Sequence, residues 1–160
     1  MGLQIIHTVE PVSLAEAKVH LNVTSAHDDE YITRLIAAAR VRAEGYTRRA
    51  FATQNVELTL DAFEPVIILP RPPVQAVTSI NFVDENGATQ AFTDYQSDLS
   101  QSAMARVKPA YGNDWPATRD QFNAVTINYV AGYGGGDSPD TIGNVPDDIF
   151  HALLLMIGTL

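Results

Sequence analysis

The sequence predicts an α+β protein, with a helical core built from N-terminal helices and a C-terminal helix and an antiparallel β region inserted between them. Three observations carry this. Ile32, Leu35, Ile36, Ala39 and Ala43 recur at helical spacing. From Asn55 onward the apolar residues alternate with polar ones. After Pro146 the pattern becomes helical again. Helices at both ends with strands gathered between them differ from the alternating βαβ order of a parallel sheet.

Each element has its own local reason. "SLAEAKVHL" opens with Ser13 and places Glu16 three residues later, the capping-box spacing. Leu14, Ala17, Val19 and Leu21 give this first helix a partly apolar face. In the second helix Asp28 is the expected N-cap, and Asp29 and Glu30 suit the positive end of the dipole. Gly45 is a possible stop, but Tyr46 continues the stripe, so the helix is expected to run to about Arg48. "NVELTLDAF" puts Val56, Leu58 and Leu60 on one face of a strand, and "PVIILP" is a short strand between prolines. "VQAVTSINFVDENGATQAFT" reads as two strands about an Asn86-Gly87 turn. "SAMARVKP" and "NAVTINYVAGY" read as two more, with an irregular loop around Trp115 between them. The last helix begins at Pro146, with Asp147 and Asp148 in its first turn. These bounds give one domain over 1–160, with helices over about 13–22, 28–48 and 146–160 and a β region over about 52–131.

Composition limits the chemistry. With 160 residues, 46% of them hydrophobic, the chain can bury a core. It has no cysteine, which excludes disulfides, thiolate metal sites and cysteine nucleophiles. No signal peptide is legible at the N-terminus, Ile6 breaks the myristoylation pattern after Gly2, and "ALLLMIG" is too short to span a bilayer. A soluble intracellular protein with no membrane partner is expected. The net charge of −9 opposes gripping nucleic acid, which requires surplus cations.

Candidate sites were weighed against plainer roles. "GYGGGDSPD" contains no lysine and lacks a third glycine at residue 137, so it fits neither phosphate-binding fingerprint. Gly132, Gly134, Gly135 and Gly136 read better as a hinge ahead of the last helix. His27, Asp28, Asp29 and Glu30 are consecutive and do not share a helix face, so capping outweighs metal binding. The Asp137 loop lacks the order of a calcium loop, and His7, His20 and His151 form no zinc motif. No nucleophile elbow occurs, so no catalytic residue, cofactor or metal is assigned.

Arg40, Arg42, Arg48 and Arg49 form a basic end of the second helix, while 28–30 and 137–148 are acidic. That asymmetry suits a head-to-tail contact between copies, with Asp147 and Asp148 as partners, against the plainer role of a solvated helix end. Trp115 either packs beneath its loop or anchors a partner. Lys108 and Arg119 flank that loop as candidate cations facing DNA.

The ordered set "EPVSLAEAKVHLNV", "DDEYITRLIAAARVRAEGYTRRAF", "LPRPPVQAVTSINFVDENG", "RVKPAYGNDWP", "AVTINYVAGYG" and "VPDDIFHALLLMIG" resembles the head–tail connector, or adaptor, family of tailed bacteriophages and gene transfer agents. The resemblance implies a non-enzymatic structural protein in the neck of the virion, assembled in the host cytoplasm. It implies a homo-oligomeric ring of twelve between the portal protein and a tail-side stopper or tail terminator. DNA would pass through the lumen without specific binding. Such proteins usually continue past the last helix, whereas this sequence stops at Leu160 inside the apolar pattern, with uncapped carbonyls expected and a further segment anticipated. The competing readings are a stand-alone sugar- or peptide-binding module using the β region, or an unrecognised hydrolase.

Overall fold

The structure is a computed structural model that describes residues 1–8, 10–100, 104–134 and 145–160. The chain divides into two compact units. The first comprises Met1–His7 and Gln54–Gly132, and the second comprises Thr8–Thr53 and Tyr133–Leu160.

The first unit contains the strands β1 (Gly2–Thr8), β2 (Gln54–Leu60), β3 (Ile67–Leu69), β4 (Val74–Val83), β5 (Thr89–Ala91), β6 (Tyr95–Asp98), β7 (Ala105–Pro109) and β8 (Val125–Ala131). They form a five-stranded sheet of order β1-β2-β8-β4-β5 and a three-stranded sheet of order β3-β7-β6. β8 sits at the centre of the larger sheet, antiparallel to β2 and to β4. Its alternation explains the position: Val125, Ile127, Tyr129 and Ala131 are buried, and the residues between them are half-buried. The Tyr129 hydroxyl donates to the Pro70 carbonyl at 2.8 Å, and burial pushes its pKa up. Val56, Leu58 and Leu60 lie inward on β2, as their spacing predicts.

The expected Asn86-Gly87 turn joins β4 to β5. Gly87 has φ +87°, the left-handed backbone that favours glycine. The Asp84 carboxylate accepts from the Asn86 and Ala88 amides, each at 2.9 Å. These bonds, with one from Gln90, hold its pKa below the usual carboxylate range. β1 and β6 have no counterpart in the sequence reading, and β1 places the N-terminal residues in the β unit.

The second unit holds α1 (Leu14–Leu21), α2 (Asp29–Thr47) and α3 (Asp147–Ile157). The capping box forms: Ser13 Oγ accepts from the Glu16 amide, and Glu16 accepts from the Ser13 amide at 2.8 Å. Val12, Ala17, Ile32, Ile36, Ala39, Phe51, Leu153, Leu154 and Ile157 form the core of the three helices. Each fully buried Leu or Ile there stabilises by about 2 kcal/mol.

Four local expectations are corrected. Asp28 stands at the α2 N-cap, but its side chain makes no capping hydrogen bond. Val19 is 79% exposed and Tyr46 is 91% exposed, so neither belongs to the buried stripe of its helix. The expected run of α2 through Gly45 to about Arg48 holds: the helix ends at Thr47, with Arg48 in the left-handed cap conformation at φ 55°. The end of α3 is not bare: the Gly158 amide donates to Leu154, and the Thr159 hydroxyl donates to the carbonyls of Leu155 and Met156.

Candidate functional site

The cations at the end of α2 have distinct surroundings. Arg40 faces inward. Its Nε and Nη2 donate to the two Glu10 oxygens at 2.9 and 3.1 Å, and its Nη1 donates to Glu44 Oε2 at 3.2 Å. The Glu44 side chain is only 2% exposed, and its other oxygen accepts from the Phe51 amide at 2.8 Å. Burial alone would lower the Arg40 pKa, but the bonds and charge of Glu10, and then of Glu44, outweigh it and hold the guanidinium above its ordinary value. Arg40 thus ties together three segments of its own unit. Arg42 and Arg48 are exposed, and Arg49 Nη1 donates to the Tyr133 hydroxyl at 3.0 Å.

Asp147 and Asp148 are exposed in the first turn of α3. The structure brings Asp148 and Arg42 to one groove between α2 and α3, with a volume of about 410 Å³. Its floor is apolar, formed by Ala43, Phe51, Ile149, Leu153 and Met156, with Tyr46, Thr47 and Ala152 completing it. A basic and an acidic side chain therefore line one apolar groove within a single copy.

Trp115 is half-buried and stacks on Phe63, ring centroids 4.4 Å apart and planes within 4°. Its Nε1 donates to the Glu64 carbonyl at 2.7 Å, and Phe82 and Phe92 complete the cluster. The indole clamps its loop onto the β unit. Lys108 is exposed on β7, on the same strand face as Arg106, whose guanidinium is held by Asp98 at 2.9 and 3.1 Å. Arg119 is exposed, and its guanidinium lies over the Gly87 turn, where a Cβ on Gly87 would meet Nη1 at 2.5 Å.

Gly132 has φ +116°, its amide donates to the Pro73 carbonyl at 2.8 Å, and its own carbonyl accepts from Gln75 at 2.8 Å. It is thus fastened to the β unit, and any joint begins after it, at Gly134. Gly135, Gly136, Asp137 and Asp140 lie outside the described residues.

Two features escaped the sequence reading. One is the α2/α3 groove, because nothing in the linear pattern shows that α3 leaves Phe51 and Met156 facing an open cleft. The other is Phe122, which is 84% exposed on the turn before β8. Its only signal was an aromatic residue set among polar ones in "RDQFNA". Among the described residues no three His, Asp or Glu side chains converge as metal ligands, and no described helix is long and apolar enough to cross a membrane.

Comparison with known proteins agrees with this architecture. The chain is similar to a component of the neck of an empty gene transfer agent (GTA) particle computed with C6 symmetry, with TM-score 0.83 and 24% identity, covering 99% of this chain and 83% of that one. A chain from the virion of a native GTA particle gives TM-score 0.81 and 22% identity, covering 99% of this chain and 83% of that one. A chain from the neck of a native GTA particle computed with C12 symmetry gives 0.72 and 26%, covering 99% and 82%. No curated protein matches the sequence. The model of the phage gp6-like head–tail connector proteins matches residues 11–109, more than half of the 160. The chain belongs to the phage gp6-like head–tail connector family.

Proposed function

We propose that this chain is a structural protein of the virion neck that forms a closed ring, a dodecamer, between the portal protein and a tail-side stopper or tail terminator. The ring continues the DNA channel toward the tail. The observation that carries this reading is the joint one of family membership and a fold matched over 99% of the chain in particle necks computed with C6 and C12 symmetry. The role is mechanical, and no cofactor, metal or catalytic group takes part. The ring assembles in the host cytoplasm and stays at the head–tail interface.

Charge supports a passive lumen. With 19 acidic and 10 basic side chains, the subunit repels duplex DNA overall. Lys108 and Arg119 offer shallow, repeated phosphate contacts, which a moving genome can leave as easily as it enters. Arg42, Arg48 and Arg49 at the end of α2, Asp147 and Asp148 at the start of α3, and the Trp115 loop serve the contacts between subunits or with the portal. Arg40 acts indirectly, by holding α2 in place.

Electron microscopy of the protein mixed with its portal tests this. Closed twelvefold rings stacked on the portal are expected. Particles that remain single copies at saturating portal overturn the ring.

A further inference from the structure

Phe122 has the character of a knob. It is 84% exposed, and phenylalanine has no polar atom to compensate for contact with water. The turn that carries it is held firmly. The Asn123 amide donates to the Asp61 carboxylate at 2.9 Å, Asn123 takes the left-handed conformation at φ 56°, Ala124 is buried, and the Arg119 amide donates to the Val83 carbonyl at 3.0 Å. A rigidly presented, fully wetted aromatic side chain is a typical anchor for a partner.

The α2/α3 groove has the character of a hole. Its volume of about 410 Å³ accepts a phenyl ring, and Phe51 and Met156 give it an apolar floor. Arg42 and Asp148 add one charge of each sign. The Phe122 turn also carries one of each, Arg119 and Asp120. Two different, complementary patches on one molecule are what a head-to-tail contact requires, and such contacts form a ring when the rotation between copies closes.

We infer that Phe122 of one copy seats in the α2/α3 groove of the next, with Asp120 facing Arg42. This seam rests on the ring reading above and gives it a specific contact. The occupant is a second copy because both halves of the match, apolar shape and paired charge, are present on this chain.

Phe122 and Ala152 are both exposed, so substitutions there leave the fold intact, which thermal unfolding checks. The full-length protein is assembled with its portal and followed by sedimentation. Phe122→Ala weakens self-association by roughly tenfold or more, as loss of an aromatic anchor does. Ala152→Trp fills the groove and has the same effect. Neither variant closes a ring, yet an equimolar mixture of the two yields heterodimers, since one intact knob meets one intact hole. Arg42→Asp weakens association, and Asp120→Arg in the same chain restores it. A photo-crosslinker at position 152 in wild-type rings captures the peptide containing Phe122. Variants that assemble like wild type, a mixture without heterodimers, or a crosslink to portal or to another segment overturn the seam and leave the ring standing. Wild-type protein that never self-associates, with or without portal, overturns both.

Discussion

Arg40 Nε lies 2.9 Å from Glu10 Oε2, a pair that ties the segment preceding α1 to the middle of α2. Glu44 shares the same guanidinium and also accepts the Phe51 amide, so the chain entering and the chain leaving α2 are both fastened to one buried group. Without Glu44 the guanidinium keeps Glu10, but the buried Phe51 amide loses its acceptor, and an unmet buried donor is costly. Glu44→Ala should therefore destabilise by about 2 kcal/mol. Urea unfolding of the helical unit is the measurement, and a loss below a few tenths would show that the network carries no stability.

The Asp84 turn gives a pH dependence with a definite sign. Its folded pKa is depressed, so its contribution is present above the unfolded value near 3.9 and disappears as pH falls through the lower folded value. Protection of the Asn86 and Ala88 amides, relative to their intrinsic exchange, should hold from neutral pH down to about 4 and be lost only as pH falls through the depressed folded value. Asp84→Ala should make both amides exchange fast at every pH. Equal protection in wild type and variant would remove the carboxylate from the account.

The indole of Trp115 is the protein's single tryptophan, which makes the stack on Phe63 directly observable. Trp115→Ala should cost roughly 2 kcal/mol, below the range for a fully buried aromatic, because the ring is only half-buried. Phe63→Leu should shift wild-type tryptophan emission to longer wavelength as water reaches the ring. An unchanged spectrum in Phe63→Leu would mean that the stack does not persist in solution.

Charge at the end of α2 leads to a prediction about assembly. Arg48→Glu with Arg49→Glu should weaken ring formation, more at low salt than at high salt, because ions screen exposed pairs. Arg49 also donates to the Tyr133 hydroxyl, so Tyr133→Phe serves as the control that removes this bond without reversing charge. Assembly that ignores salt in both wild type and the double variant would exclude a charge-guided seam.

Duplex DNA should bind the free subunit weakly at physiological salt, given its net charge of −9. A titration at two salt concentrations measures this. Tight, sequence-selective binding would contradict a passive channel.

Much of the fold was legible because its signals are local. The Ser13–Glu16 box, the Ile32–Ala43 stripe, the Asn86-Gly87 turn and the Pro146 start each depend on neighbours within a few residues. What stayed hidden depends on distant pairing. β1 joins β2 across a gap of many residues, so nothing near it in sequence announces the pairing. The burial of Glu44 could not be read from a helix that looks amphipathic around it, because it depends on the Phe51 amide beyond α2 and on Arg40, which Glu10 holds from before α1. Val19 and Tyr46 misled for the opposite reason: apolar spacing continued beyond the surface that another helix covers. The groove follows from how α3 rests on α2, a relation between helices that are separated in sequence by the whole β region.

The two-part composition of the helical unit has a consequence for synthesis. α1 and α2 are translated early, yet Leu153, Leu154 and Ile157, which complete their core, come only after every strand has been made. The β unit needs nothing beyond Gly132, so it can close first, while the emerging chain carries the uncovered faces of Ile32, Ile36 and Phe51. During that interval the half-built helical unit presents apolar surface to chaperones and to other nascent chains. A chain truncated between Gly132 and α3 would carry every strand and an open helical pair, and that species is the one most prone to aggregate.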